Sequence, residues 1–111
     1  MERVNLVMEV DAHKQYEFEV TDVDGLLGAT VKWKMANSVK ASPLIEKISD
    51  DVTEIEISGK KFTVYINPSD NVELAPRRYY HEARVTDADG FTRPVVCGEV
   101  IVVDTLTTGG G

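Results

Sequence analysis

The sequence predicts an all-β fold, a two-sheet antiparallel sandwich of seven to eight strands. Apolar and polar residues alternate with period two through most of the chain, as in strands with one buried and one solvated face. Residues typical of turns separate these runs at short intervals. The length of 111 residues fits one domain. We expect a single sandwich domain over residues 1–104 and a flexible Thr/Gly-rich C-terminal tail over residues 105–111.

The first three strands are predicted from this alternation alone. Each run has three or four apolar residues on one face and mainly polar residues between them. None has the spacing of three and four residues that a helix needs. The apolar faces consist of Val4, Leu6, Met8 and Val10 in the first run, Tyr16, Phe18 and Val20 in the second, and Val31, Trp33 and Met35 in the third.

A hairpin is predicted in the middle of the chain, with Gly59-Lys60 at the centre of its turn. Glycine at the first central position favours a type II′ turn, whose twist matches that of the flanking strands. This turn also fixes the register. The expected pairs are Ile57 with Phe62 and Ile55 with Val64 on the core face, and Glu56 with Thr63 and Glu54 with Tyr65 on the solvated face.

One short helical turn is predicted near residues 68–73, where the alternation stops. Asn67 can cap it, Pro68 suits its first position, and Asp70 favours its positive end. Two further strands follow, through residues 79–85 and 95–103. Residues 38–51 fit either a short edge strand or one helical turn. A tyrosine corner, formed by Tyr79 or Tyr80 after residues 74–76, would tie the two sheets together.

A repeated acidic segment is the strongest candidate for a metal site. Val-Thr-Asp-x-Asp-Gly occurs at residues 20–25 and again at residues 85–90. If the sandwich brings both loops to one end, Asp22, Asp24, Asp87 and Asp89 could converge on a calcium ion. Ordinary turn chemistry explains the pattern better, because neither copy has the bidentate glutamate of a calcium loop. We therefore expect no cofactor.

The ionisable residues argue against several classes of function. The net charge of -7 removes the basic surface that nucleic acids require. A single cysteine, Cys97, excludes an intrachain disulfide, and we expect it to be a small buried residue, with an intersubunit disulfide as the alternative. His81 lies on the apolar face of its strand, so a core histidine is expected, and a dyad with Cys97 is the weaker possibility. No catalytic motif is present, and we expect no enzyme.

Membrane and export signals are also missing from this sequence. No apolar run reaches the length needed to span a bilayer, and the N-terminus has no secretory signal. We therefore expect no membrane partner.

Trp33 falls on the same face of its predicted strand as Val31 and Met35, so a place in the core is expected rather than a role in sugar stacking.

The order of these segments resembles the small immunoglobulin-like β-sandwich modules of tailed-phage virions, including the N-terminal domain of baseplate upper proteins. The resemblance spans most of residues 10–103. One departure is Asp11-Ala12-His13-Lys14, where such modules often have a glycine-containing turn. The segments that carry it are residues 16–25, 27–34, 66–70, 74–76, 79–87 and 98–102.

The resemblance implies a non-enzymatic structural component of the virion, in the neck or collar, the tail or baseplate, or on the capsid. Its partners would be other virion proteins and copies of itself, bound partly by edge-strand addition. We expect the contact edges at the first strand and at residues 95–103, with Val7, Val95, Ile101 and Val103 as interface residues. The alternative is a cell-surface module that binds a receptor or a carbohydrate.

Overall fold

The computed structural model describes residues 2–21 and 25–104. These residues form nine strands and one short helix. In chain order the elements are β1 (Glu2–Arg3), β2 (Leu6–Glu9), β3 (Lys14–Glu19), β4 (Thr30–Ala36), β5 (Pro43–Ile48), β6 (Ile55–Ser58), β7 (Lys61–Ile66), α1 (Pro68–Asn71), β8 (Arg78–Thr86) and β9 (Thr92–Val103).

The strands form two packed sheets. In the large sheet the order is β1-β9-β8-β4-β5, and β2 also pairs with β9; in the small sheet it is β3-β7-β6. All pairs are antiparallel except that β1 and β2 run parallel to β9. β2 leads directly into β3 of the other sheet. This crossover between sheets, rather than a hairpin with β9, sets the direction of β2. The chain is thus a two-sheet immunoglobulin-like sandwich.

The core lies between the sheets and consists of the apolar faces that alternation predicts. Trp33, Met35 and Val31 of β4 are fully buried, as are Phe62 and Val64 of β7. A tyrosine corner is present at Tyr79, whose hydroxyl donates to the Ala75 carbonyl over 2.8 Å.

The central hairpin has the predicted register. Ile55 lies opposite Val64 and Ile57 opposite Phe62. Gly59 has a φ of +63°, whereas Lys60 is not among the described residues with positive φ. This combination identifies a type II′ turn, because a type I′ turn needs positive φ at both positions.

The two uncertain segments take definite forms. Residues 38–51 contain the edge strand β5, so the strand alternative is confirmed and the helical turn is wrong. The predicted helical turn is α1, four residues long, with a capping box between Asn67 and Asp70. It connects β7 of the small sheet to β8 of the large sheet.

The prediction that residues 95–103 form a contact edge is wrong. They belong to β9, which pairs with β8 on one side and with β1 and β2 on the other. The bulge between Ala83 and Arg84 leaves Val95 as an extra residue, and its side chain is buried. The edge that β9 would have offered is covered by the N-terminal strands.

Candidate functional site

The outer face of the large sheet, which points away from the small sheet, is a regular surface built from six strands. Strand register fixes which side chains stand beside one another on it. One row crosses five of the six strands with charges of mostly alternating sign. From β1 to β5 this row consists of Arg3, Cys97, Glu82, Lys34 and Glu46.

This outer face is much less acidic than the rest of the protein. Three ion pairs lie on it: Arg84 with Glu82 at 3.1 Å, Lys34 with Glu46 at 3.6 Å, and Arg78 with Glu99 at 3.6 Å. Its net charge is about +1, whereas the whole chain carries -7. The face contains five basic residues, Arg3, Lys32, Lys34, Arg78 and Arg84, and four acidic residues, Glu9, Glu46, Glu82 and Glu99.

A groove of about 310 Å³ opens on this face beneath the segment that connects β4 to β5. Val39 and Ala41 of that segment form one wall, and Val39 is 83% exposed. Tyr80 lines the groove from β8, and Arg3 and Lys34 line it from the strands on either side. The groove therefore combines an aromatic ring and aliphatic side chains with two cationic groups.

Two of the predicted interface residues form an exposed apolar pair at the far end of the same face. Val7 of β2 lies directly opposite Ile101 of β9, and the side chains are 54% and 36% exposed. Val103 is partly buried and Val95 is buried, so neither offers comparable surface. A role for these residues in an interface stays a prediction.

Side chains donate hydrogen bonds to the backbone carbonyls along the open edge of β2. The Tyr16 hydroxyl donates to the Val7 carbonyl over 2.6 Å, and the Asn71 amide donates to the Glu9 carbonyl over 3.1 Å. Burial and the nearby Glu9 carboxylate raise the pKa of Tyr16, which keeps its hydroxyl protonated as a donor. Strand addition at this edge would have to displace both bonds, so the edge is a poor docking site.

The same asparagine holds the turn after β2, where the sequence lacks a glycine. Asp11 adopts a φ of +59°, in the left-handed region. Asn71 accepts a hydrogen bond from the Asp11 N–H at 2.7 Å and donates to the Ala12 carbonyl at 3.1 Å. Asn71 is fully buried and thereby joins α1 to the β2–β3 turn.

The opposite edge strand, β5, is also protected. A Glu54 carboxylate oxygen accepts a hydrogen bond from the Ile48 N–H, which faces away from β4, at 3.0 Å. Lys47 points inward and pairs with Asp70 at 2.7 Å, and an inward charge on an edge strand discourages strand addition. A bulge interrupts its pairing with β4. The β2 and β5 edges of the large sheet are thus shielded, and its outer face is left open.

His81 lies below the groove, and both nitrogens of its ring form hydrogen bonds. Its Nδ1 accepts from the Trp33 indole N–H at 3.1 Å, which leaves the proton on Nε2 for donation to the Val4 carbonyl at 2.7 Å. Burial lowers the pKa of His81 more than the bond to Val4 raises it. Since both ring nitrogens are engaged, neither is available as a base for Cys97.

The His81 ring also forms a contact between the two sheets. Tyr79 lies two residues before it, the spacing at which antibody domains place the second cysteine of their inter-sheet disulfide. Here the ring stacks on Phe18 of the small sheet, with centroids 5.9 Å apart, and contacts Trp33 at the same distance. The core histidine predicted from the alternation is confirmed.

Cys97 is partly exposed, so the prediction of a buried cysteine is wrong. The extra residue Val95 reverses the alternation of β9, and Cys97 points outward beside Glu82 instead of into the core. It is a free thiol that lines the groove.

The second acidic loop is held by turn chemistry. An Asp87 carboxylate oxygen accepts from the N–H groups of Asp89 and Phe91 at 2.9 and 3.0 Å, and Gly90 has a φ of +90°. Asp22 and Asp24 lie outside the described residues. Among the described residues, no group of three or more His, Cys, Asp or Glu side chains could hold a metal ion.

The segment after the first acidic repeat, residues 26–29, lies near the second acidic loop. A Cβ atom placed on Gly28 would be 3.5 Å from the Cβ of Ala88. The β6–β7 turn also contacts this segment, since the Gly59 carbonyl accepts a backbone hydrogen bond from the Leu26 N–H at 3.0 Å.

Several solved structures are similar to this chain at low sequence identity. The extracellular domain of the voltage-gated sodium channel beta4 subunit, described as a parallel homodimer in cell–cell adhesion, is 17% identical with a TM-score of 0.45, covering 94% of this chain and 93% of its own. Murine CRIg is 12% identical with a TM-score of 0.42, covering 89% and 92%.

A candidate glycoside hydrolase from Bacteroides vulgatus ATCC 8482 is 12% identical with a TM-score of 0.49, covering 96% of this chain. This chain spans only 18% of the length of that protein. No protein-family model matches the chain, and no curated protein matches its sequence. None of the helices in the described part is long and apolar enough to cross a membrane.

Proposed function

We propose that this protein is a non-enzymatic recognition module that binds protein partners through the outer face of its large sheet. The observation that carries the proposal is the contrast between this open face and the shielded edges on either side. The face offers an exposed apolar pair, Val7 and Ile101, and a groove with Tyr80 inside it. Mixed charges around apolar contacts are typical of protein interfaces.

The chemistry of the groove supports binding rather than catalysis. Its histidine uses both ring nitrogens in the core and cannot activate the Cys97 thiol, and the neighbouring Glu82 carboxylate is paired with Arg84. The remaining ionisable residues of the groove, Arg3, Lys34 and Glu82, can select a partner by charge.

Site-specific photo-crosslinking in the producing cells tests this proposal. A photoreactive amino acid replaces Val7, Tyr80 or Ile101 on the outer face, or Glu17 on the exposed side of the small sheet as a control. We expect the same crosslinked partner from the three outer-face positions and none from Glu17. Equal crosslinking at all four positions, or crosslinks at Glu17 only, would contradict the proposal.

We further propose, as a second candidate, that the partner assembly is a tailed-phage virion. The resemblance of residues 16–25 and 79–87 to virion modules is what favours it. Mass spectrometry of purified particles tests it: tens to hundreds of copies per particle are expected, and absence from particles refutes it. In that case a cell-surface receptor or glycan becomes the expected ligand, and Tyr80→Ser should weaken binding to a glycan array.

A further inference from the structure

One aromatic side chain projects from the loop end of the sandwich without any role in the core. Phe91 is 73% exposed. Its N–H donates to the Asp87 carboxylate, and its carbonyl accepts from the Asp87 N–H at 2.9 Å. Because both backbone groups are fixed, the ring is presented by a rigid turn, and little conformational entropy would be lost when it binds.

The turn that carries Phe91 is acidic, and an exposed leucine lies in the neighbouring loop. Leu27, in the neighbouring loop, is 99% exposed. Asp87 and Asp89 belong to the same turn as Phe91 and are exposed. An exposed apolar ring with acidic neighbours fits an apolar pocket with basic residues at its rim.

The groove on the outer face has these complementary properties. Its apolar part consists of Val39, Ala41 and the Tyr80 ring, and its cationic groups are Arg3 and Lys34. Its one carboxylate, Glu82, is paired with Arg84, and Lys34 forms a solvated pair with Glu46. The volume of about 310 Å³ is ample for a phenyl ring, since a cavity of about 150 Å³ holds a benzene molecule.

We propose that the Phe91 turn of one copy docks into the outer-face groove of a second copy. The proposal rests on the recognition role of the outer face and names one of its partners, another molecule of this chain. Phe91 supplies the apolar contact, and Asp89 lies near Arg3 or Lys34 of the receiving copy. The two surfaces lie on different parts of the molecule, so the contact is heterologous.

A heterologous contact leaves the groove of one copy and the Phe91 turn of the other unused. Further copies can therefore add until a ring closes, or continue as an open chain. This distinguishes the proposed contact from a two-fold dimer, which would stop at two copies.

Sedimentation velocity of the purified protein tests the contact with single variants. The wild-type protein should associate at concentrations up to about 1 mM. Phe91→Ala should weaken association at least about tenfold, because it removes the inserted ring. Val39→Asp should weaken it equally, since it places a charge in the receiving groove. Val52→Ala removes an equally exposed aliphatic side chain elsewhere and should change nothing.

A mixing experiment then tests the head-to-tail geometry. The Phe91→Ala variant keeps an intact groove, and the Val39→Asp variant keeps an intact Phe91 turn. Their equimolar mixture should form one-to-one dimers that grow no further, although each variant alone is monomeric. Association should also weaken as sodium chloride rises from about 50 to about 500 mM.

Three results would overturn the inference: a wild-type protein that stays monomeric at about 1 mM, association unaffected by Phe91→Ala, or a mixture of the two variants that remains monomeric. Because both substituted side chains are exposed, we expect unchanged melting temperatures, which exclude unfolding as a cause. If self-association fails while crosslinks still concentrate on the outer face, the recognition role stands and only this partner is wrong.

Discussion

Replacing His81 by leucine should cost the domain a large part of its stability. The substitution roughly keeps apolar volume but removes both hydrogen bonds of the ring. The Trp33 indole N–H, which is fully buried, and the Val4 carbonyl then lose their partners. An unsatisfied buried polar group costs about 1–3 kcal/mol, so loss of the Trp33 partner alone should cost about that much, and the part-buried Val4 carbonyl should add a smaller amount. The total stability of a domain is only about 5–15 kcal/mol.

Urea denaturation followed by tryptophan fluorescence measures this loss, with the midpoint compared at constant slope. His13→Leu is the matched control, because His13 is exposed, and it should stay within about 0.5 kcal/mol of the wild type. His81→Gln keeps an amide donor and acceptor and should lose less than His81→Leu. If His81→Leu were as stable as the control variant, the hydrogen bonds would contribute nothing and the reasoning would be refuted.

The same residue gives stability a defined dependence on pH. Burial holds the pKa of His81 below its ordinary value of 6.5, so the unfolded chain binds this proton more readily than the folded one. Stability contributed by the neutral ring is therefore complete above about pH 6.5 and declines as the pH falls from there towards the folded pKa. The slope of unfolding free energy against pH that comes from His81 is at most about 1.4 kcal/mol per pH unit. His81→Gln should lack this part of the slope, because glutamine does not titrate.

Three further substitutions test the packing around this core. Gly98→Ala should destabilise by about 2–4 kcal/mol in chemical denaturation, because its Cβ would overlap the Val4 carbonyl and displace the acceptor of His81; a neutral effect would contradict the close approach. Asn71→Ala should raise hydrogen exchange at Asp11 and lower the melting temperature, whereas Ser69→Ala should not. Ile55→Asp should unfold the domain, and Glu56→Asp, its exposed neighbour, should remain folded by circular dichroism.

Local patterns were sufficient to predict the strands and the central hairpin. The register of that hairpin follows from Gly59 at the turn and from the parity of Ile55 and Ile57, all within a few residues. The tyrosine corner likewise depends on a bond between residues four apart, Tyr79 and Ala75. Such features are predictable because their determinants are close together in the sequence.

Features that depend on distant segments were missed. Strand β9 is covered because residues 2–9 pair with it, although the two segments are about ninety positions apart in the sequence. No local pattern indicates such a distant pairing. The bulge at Val95 reversed the side chains that follow it, and thereby placed Cys97 outside. The groove depends on the segment between β4 and β5, whose path over Tyr80 has no sequence signature.

The positions of the stabilising contacts explain why the outer face is free to bind. The sheets are joined by the Phe18–His81–Trp33 contacts in the core. The edges are held by Tyr16 and Asn71 on one side and by Glu54 on the other. None of these contacts uses the exposed side chains of the outer face, whose ion pairs are solvated and contribute little to stability. Substitutions on the outer face should therefore preserve the fold, as the proposed recognition role requires.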